Sequence, residues 1–210
     1  LLLLTGLQSA LAQKFTVYMA NKQVVKFSVT EVDSIVFSAL DDWVDLGLPS
    51  GTLWATCNLG ASSPEEYGDY FAWGETEPKT NHNYDWTTYK WCNGSYNTLT
   101  KYNTDSEYGV VDNKEILESS DDAATANWGG DWRMPSIEEW NELFSNSSLK
   151  WEEHNGVSGV ALTSVRNGNS IFLPAAGFYH YDNGLISQNT EGYYRTNSLD
   201  ESRGTISLGF

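Results

Sequence analysis

Asn127-Trp-Gly-Gly-Asp-Trp-Arg-Met-Pro-Ser-Ile-Glu-Glu-Trp-Asn-Glu-Leu-Phe144 holds three of the chain's nine tryptophans and its clearest helix start. Ser136 followed three residues later by Glu139 is a capping box: the hydroxyl accepts from the Glu139 amide and the carboxylate returns to the Ser136 amide. Pro135 precedes the cap, so the chain arrives extended and turns abruptly into helix. Ile137, Trp140, Leu143 and Phe144 then share one stripe of a short amphipathic helix. Gly129 and Gly130, between Trp128 and Trp132, allow a tight bend that holds two indoles in one neighbourhood. Trp128, Trp132, Ser136, Glu139 and Trp140 are therefore expected to be structural residues.

Outward from this stretch, short strands and turns follow one another closely. Lys14 to Ser38 alternates apolar and polar residues, with Phe15, Val17 and Tyr18 set against Val24, Val25, Phe27 and Val29 across a turn. Trp43 onward reads as a strand, a Pro49-Ser-Gly51 turn and a strand over Leu53 to Leu59. Ser63-Pro-Glu-Glu66 predicts a second capped helix, ended by Gly68. Tyr70, Phe71, Trp73, Tyr84, Trp86, Tyr89 and Trp91 then crowd a segment rich in Gly, Asn and Thr, which reads as long loops pinned by aromatic side chains. Asp121-Asp-Ala-Ala124 suits a helix N-terminus. Beyond the main helix, Gly159 to Ser164 and Ser170 to Leu173 are strands joined through Arg166-Asn-Gly-Asn169, and Phe178 to Gly184 and Gly192 to Tyr194 continue the pattern. The class is α+β, with two main short helices and a small twisted antiparallel sheet, preceded by an N-terminal β-hairpin.

Charge and cysteine narrow the function. The chain has 210 residues, 28 acidic against 12 basic, for a formal charge of -16. That balance removes the electrostatic footing for polyanions, so nucleic acid and anionic membrane surfaces are excluded as partners. No run is long and apolar enough for a transmembrane helix, so no membrane insertion is expected. Residues 1–12 are an apolar run closing on Ala10-Leu11-Ala12, the small-x-small pattern of a cleaved signal peptide, here without its beginning; residues 13–40 form a strand segment and residues 41–210 the main domain. Export would permit a disulfide between Cys57 and Cys92, although Cys57 equally suits a small buried apolar position. His82, His154 and His180 lack ligand spacing, so neither a metal nor a cofactor is assigned. Asp121 and Asp122 offer hard oxygen ligands to calcium as an alternative to the helix cap, but two carboxylates make no cage.

Several ordered stretches resemble the FISUMP (major paralogous domain) family of C-type-lectin-like domains, and more distantly the formylglycine-generating-enzyme type. They are Val44-Asp-Leu-Gly-Leu-Pro-Ser-Gly-Thr-Leu-Trp-Ala-Thr-Cys-Asn-Leu-Gly60, Tyr67-Gly-Asp-Tyr-Phe-Ala-Trp-Gly-Glu75, Asp121-Asp-Ala-Ala124, the Trp132-Arg-Met-Pro-Ser136 helix start and Asn167-Gly-Asn-Ser-Ile-Phe-Leu-Pro-Ala-Ala-Gly177. The resemblance implies a secreted or cell-surface C-type-lectin-like domain that binds a glycan or protein ligand, in the manner of an adhesion module. It also implies a closing strand that this chain lacks, and a late segment in which Arg195-Thr-Asn197 replace the family's Trp-Ser-Ser. Some lectin-like relatives diversify that segment, which makes Arg195, Asn197, Arg203, Thr205 and Ser207, with Tyr179 and Tyr181 nearby, candidates for the ligand-binding face of a variable protein, with ordinary drift on an exposed loop as the competing reading of the same divergence. A structural subunit of a surface or fimbria-like assembly is the alternative, since the N-terminal strands and an open edge suit strand addition. A glycan-active enzyme needs two carboxylates across one bond, and Asp69, Glu75 and Glu142 are the candidates. The late cysteine pair of the formylglycine-generating relatives has no counterpart after Cys92, so the chain is not expected to be an enzyme.

Overall fold

The computed structural model describes residues 14–18, 24–28, 43–199 and 205–209, the first two segments and the last as backbone strands. By internal contact the chain divides into two units, Leu1–Leu40 and Asp41–Phe210. In the first, β1 (Lys14–Tyr18) pairs antiparallel with β2 (Val24–Ser28), Phe15 opposite Phe27 and Val17 opposite Val25. The second is mixed α+β. It contains β3 (Trp43–Asp45), β4 (Leu53–Ala55), α1 (Ala123–Trp128), α2 (Ile137–Ser145), β5 (Ser147–His154), β6 (Val157–Ser164), β7 (Ser170–Pro174), β8 (Phe178–His180), β9 (Gly184–Ile186), β10 (Glu191–Arg195) and β11 (Thr205–Gly209).

The central sheet is the antiparallel order β5-β6-β7, with Leu162 opposite both Leu149 and Ile171. Strand β6 lies in the middle and buries Val160, Ala161 and Leu162 in succession, as expected of a strand covered on both faces. Val160 and Leu162 join Ile171 and Leu173, Trp140 and Leu143 of α2, and Leu46, Leu48 and Trp54 in one apolar cluster. Trp54 and Trp140 meet edge to face at 4.8 Å, a favoured aromatic arrangement. On the other face Phe172 stacks on the His154 ring at 4.1 Å. The chain before β4 is tied to the sheet at its far end: Ser164 Oγ donates to Leu46 O (2.6 Å), and Asn167 and Asn169 amides donate to Asp45 O (2.9 and 2.8 Å).

Helix α2 carries the predicted capping box, with Ser136 Oγ accepting from Glu139 N and the Glu139 carboxylate accepting from Ser136 N. Arg133 grips the same carboxylate bidentately at 2.7 and 2.5 Å. Glu142 reaches the Pro49 turn, accepting from Ser50 N (2.9 Å) and Ser50 Oγ (2.5 Å). One face of the helix thus packs the core while its carboxylates fix two neighbouring loops. Helix α1 is capped by Asp122, whose Oδ1 accepts from Thr125 N (3.0 Å) and whose Oδ2 accepts from Met134 N (2.9 Å). That one side chain joins the start of α1 to the approach of α2.

Some local expectations are corrected. Ser63 to Glu66 makes a single turn and no helix: the Glu66 carboxylate reaches back to the Ser62 amide (2.7 Å) and hydroxyl, and the Glu66 N–H donates to the Ser63 carbonyl (3.1 Å). Gly68, at φ +73° against Leu59 O, stops the turn before a second can form. The strand expected over Leu53 to Leu59 ends at Ala55. Strand β5, which the sequence reading does not anticipate, joins β6 through Asn155-Gly156 at φ 51° and 84°, a two-residue turn in which both residues need positive φ.

Ser136→Ala is expected to lower the unfolding free energy by about 1 kcal/mol in a urea titration, the usual cost of a lost cap. The Arg133 hydrogen bonds and the Ser136 amide hold the Glu139 carboxyl below the ordinary glutamate pKa against the opposing effect of burial. Its contribution is complete above the unfolded value of about 4.3 and is lost as pH falls through the lower folded value. Glu139→Gln should therefore reduce stability near neutral pH and soften its decline in acid, as thermal melts across pH would show.

Candidate ligand-binding groove

Between β4 and α1 the chain runs with little regular structure, so its carbonyls must find donors outside helices and sheets. Aromatic side chains supply them. Trp73 Nε1 donates to Thr196 O (2.8 Å), Trp91 Nε1 to Gly74 O (2.7 Å), Tyr89 Oη to Trp73 O (3.0 Å) and Tyr70 Oη to Ala176 O (2.5 Å), and Tyr84 Oη donates to Tyr70 O. Each ring fills space below a loop while its polar tip ties down a carbonyl. Burial accordingly pushes the Tyr70, Tyr84 and Tyr89 phenols above their ordinary pKa. Gly177 marks where β8 begins against Ile186 O and Gln188, so close at φ +66° that a Cβ would lie 2.2 Å from that oxygen.

Most of the acidic residues singled out for chemistry are held by the protein, Asp69 being exposed. Asp121 is buried, and its Oδ2 accepts from Lys101 Nζ (2.5 Å) and Tyr102 Oη (2.7 Å), with Lys90 Nζ 3.6 Å from Oδ1. Burial opposes its ionisation, but the Lys101 and Tyr102 hydrogen bonds outweigh that and keep its pKa below the ordinary aspartate value. Lys101 also pairs with Glu118 and lies over the Trp91 ring at 4.7 Å. Asp121 is thus paired with lysine and Asp122 is a helix cap, so both carboxylates of the calcium alternative already have partners; among the described residues no group of three or more acids, histidines and cysteines is placed to hold a metal ion. Glu75 is buried and accepts from Lys79 Nζ (2.5 Å) and Lys90 N (2.8 Å), and Glu142 is taken by Ser50. Cys57 and Cys92 are not joined in a disulfide; Cys92 Sγ donates to Trp86 O at 2.9 Å.

Above this pinned layer runs a groove of about 1810 Å³. Sites for drug-sized molecules occupy roughly 300–1,000 Å³, so the groove has room for a chain-like ligand. Trp43, Trp86, Tyr96, Tyr108, Trp128 and Tyr181 line it and are all exposed, from Trp128 at 38% to Tyr181 at 69%. Among the described tryptophans, tyrosines and phenylalanines Trp151 is the only other exposed one. Several groove rings are paired: Trp128 with Trp132 at 5.0 Å, Trp86 with Tyr89 at 5.8 Å, Tyr96 with Tyr108 at 6.4 Å. Four basic side chains also line it: Lys79, Lys101 and Arg133 are consumed by Glu75, by Glu118 with Asp121, and by Glu139, and Arg195 is the fourth.

The expected binding residues divide. Tyr181 is exposed in the groove, tilted against His180 at 4.4 Å. Tyr179 also lines it but is locked in a stack, with His82 and Tyr84 each parallel at 5.0 Å and Tyr70 edge-on at 5.0 Å. Arg195, at the end of β10, is exposed, yet the protein crowded around its guanidinium pushes its pKa below the ordinary arginine value, with Tyr89 acting oppositely. That combination describes a side chain in a cleft. Asn197 is fastened through its backbone, donating to Pro135 O (2.9 Å) and accepting from Leu117 N (2.8 Å). Thr205 and Ser207 lie on β11 opposite Arg195 and Tyr193, and Arg203 lies outside the described residues. Of the structural set, Trp140 is core, whereas Trp128 and Trp132 form a pair on the groove wall. Tyr96 and Tyr108 carry no local pattern that marks them as exposed, and sequence reading passes over them.

Asp121→Asn removes the charge that Lys101 answers inside the fold and is expected to cost about 2–4 kcal/mol by urea denaturation. Millimolar calcium should leave the melting temperature of the unaltered chain where it was, since both aspartates are already occupied. Comparison of the chain with protein-family models, with curated proteins and with solved structures finds no match.

Proposed function

We propose that this chain is a ligand-binding module, secreted or displayed at the cell surface, built on a C-type-lectin-like scaffold. The observation that carries the reading is the gathering of exposed aromatic rings along one groove while other rings are spent on fixing loops. Exposed indoles and phenols give contact area at low conformational cost and are favoured at recognition surfaces. The order of quoted motifs, the two short helices and the long pinned loops support the scaffold, and the Ala10-Leu11-Ala12 pattern supports export. Tyr181 and Arg195 belong to the binding face, and Asn197, Arg203, Thr205 and Ser207 extend it as the segment open to diversification.

An assembly role is the second reading, and β1 with β2 favours it. They form a two-stranded sheet of their own, and such hairpins are marginal alone. Polymers growing with concentration in sedimentation, without ligand binding, would replace the recognition reading with this one.

Binding to a combined glycan and peptide array tests the proposal. Trp86→Ala and Trp128→Ala should each weaken the array signal about tenfold or more while leaving the melting temperature nearly unchanged, because both rings are exposed. Retention of full binding in both variants would remove the groove from consideration.

A further inference from the structure

The groove's charge is as uneven as its apolar surface. Once Lys79, Lys101 and Arg133 are discounted as paired, the acids Asp69, Asp85, Asp105 and Asp131 remain on its lining against one further cation, Arg195. None of the four takes part in an ion pair among the described residues. Asp69, Asp105 and Asp131 are exposed.

These carboxylates lie beside the ring pairs in the chain. Asp131 sits between Trp128 and Trp132, Asp85 precedes Trp86, and Asp105 lies shortly before Tyr108. An aromatic face and a carboxylate together suit an ammonium or guanidinium group, the ring through its quadrupole and the acid through its charge.

We propose that the groove takes a cationic partner, an extended polypeptide segment bearing lysine or arginine side chains. This rests on the recognition reading above and names its ligand class. A neutral glycan would cover unpaired carboxylates and lose their hydration without returning a charge. A basic segment compensates them, and the chain's formal charge of -16 draws it in from a distance. The volume of about 1810 Å³ accommodates several residues of such a segment.

Tryptophan fluorescence of the 210-residue chain tests this with three probes: an alternating lysine–serine octapeptide, the same peptide with every lysine acetylated, and a neutral cello-oligosaccharide. The lysine peptide is expected to bind and to weaken about tenfold between low and high salt, because exposed charge pairs are screened. Acetylation should abolish binding, since it removes the charge and keeps the length. Asp131→Asn and Asp105→Asn should each weaken the lysine peptide about two- to fivefold, and Glu153→Gln, an exposed acid away from the groove, should not. Binding of the acetylated peptide or the oligosaccharide, indifferent to salt, would overturn the cationic partner and leave the recognition reading standing. Equal weakening by Glu153→Gln would also overturn it, because attraction would then be a property of the whole surface. Silence from all three probes, with no ligand on the array, would remove both readings.

Discussion

Irregular backbone in a folded chain must have its polar groups answered, and in this protein phenols and indoles answer them. Trp91, Tyr84 and Tyr89 each donate to a carbonyl of the long segment between β4 and α1, and Tyr70 and Trp73 donate to Ala176 and Thr196, just past the ends of β7 and β10. Without those donors the carbonyls would have to stay at the surface, and the segment would have no reason to adopt one path. Buried carboxylates play the complementary part for amides: Asp122 holds Thr125 and Met134, and Glu75 holds Lys90. The core tryptophans work by bulk instead, since the Trp54 and Trp140 N–H groups have no hydrogen-bond partner among the described residues. Each such donor costs about 1–3 kcal/mol, which their packing with Leu143, Leu162 and Leu173 must exceed.

This arrangement separates scaffold from surface within one residue class. Rings whose polar tips are engaged fix the loops, Tyr70, Trp73, Tyr84 and Tyr89 among them lining the groove as well, and the exposed rings Trp86, Tyr96, Tyr108, Trp128 and Tyr181 line it beside them. The charged residues follow the same division. Lys79, Lys101 and Arg133 are consumed by internal ion pairs, whereas four aspartates that make no ion pair among the described residues remain on the lining with Arg195. An aromatic groove whose loops are tied down by their own hydrogen bonds is the outcome, and recognition by a surface held in this way requires little ordering of the protein when a ligand arrives.

Where local chemistry decides the structure, the sequence is informative. The Ser136–Glu139 box, the Asp122 cap, the Asn167-Gly168 hairpin and the pairing of β6 with β7 all follow from neighbouring residues, and each is present. The α+β class follows from the same signals. Ser63 to Glu66 shows the limit, because a capping pattern cannot lengthen a helix that Gly68 ends beneath Leu59 O. Strand β5 was obscured by its polar exposed face, although Asn155-Gly156 carried the turn signal. The groove was the least legible part. Whether a tryptophan pins a loop or faces solvent depends on which carbonyl the fold brings to its N–H, and nothing adjacent to Trp86 or Trp91 in the chain distinguishes them. The late segment shows the same effect: Tyr179 and Tyr181 differ by two positions on one hairpin, yet one is stacked between rings and the other is open.

Hydrogen exchange at the indole N–H groups, resolved by nitrogen-15 NMR, tests the division of rings most directly. Trp73 and Trp91 should exchange slowly because a carbonyl holds each proton, and Trp86 and Trp128 should exchange fast and be the resonances that move when a ligand binds. Rapid exchange at Trp73 and Trp91, at the rate of the groove indoles, would contradict the account.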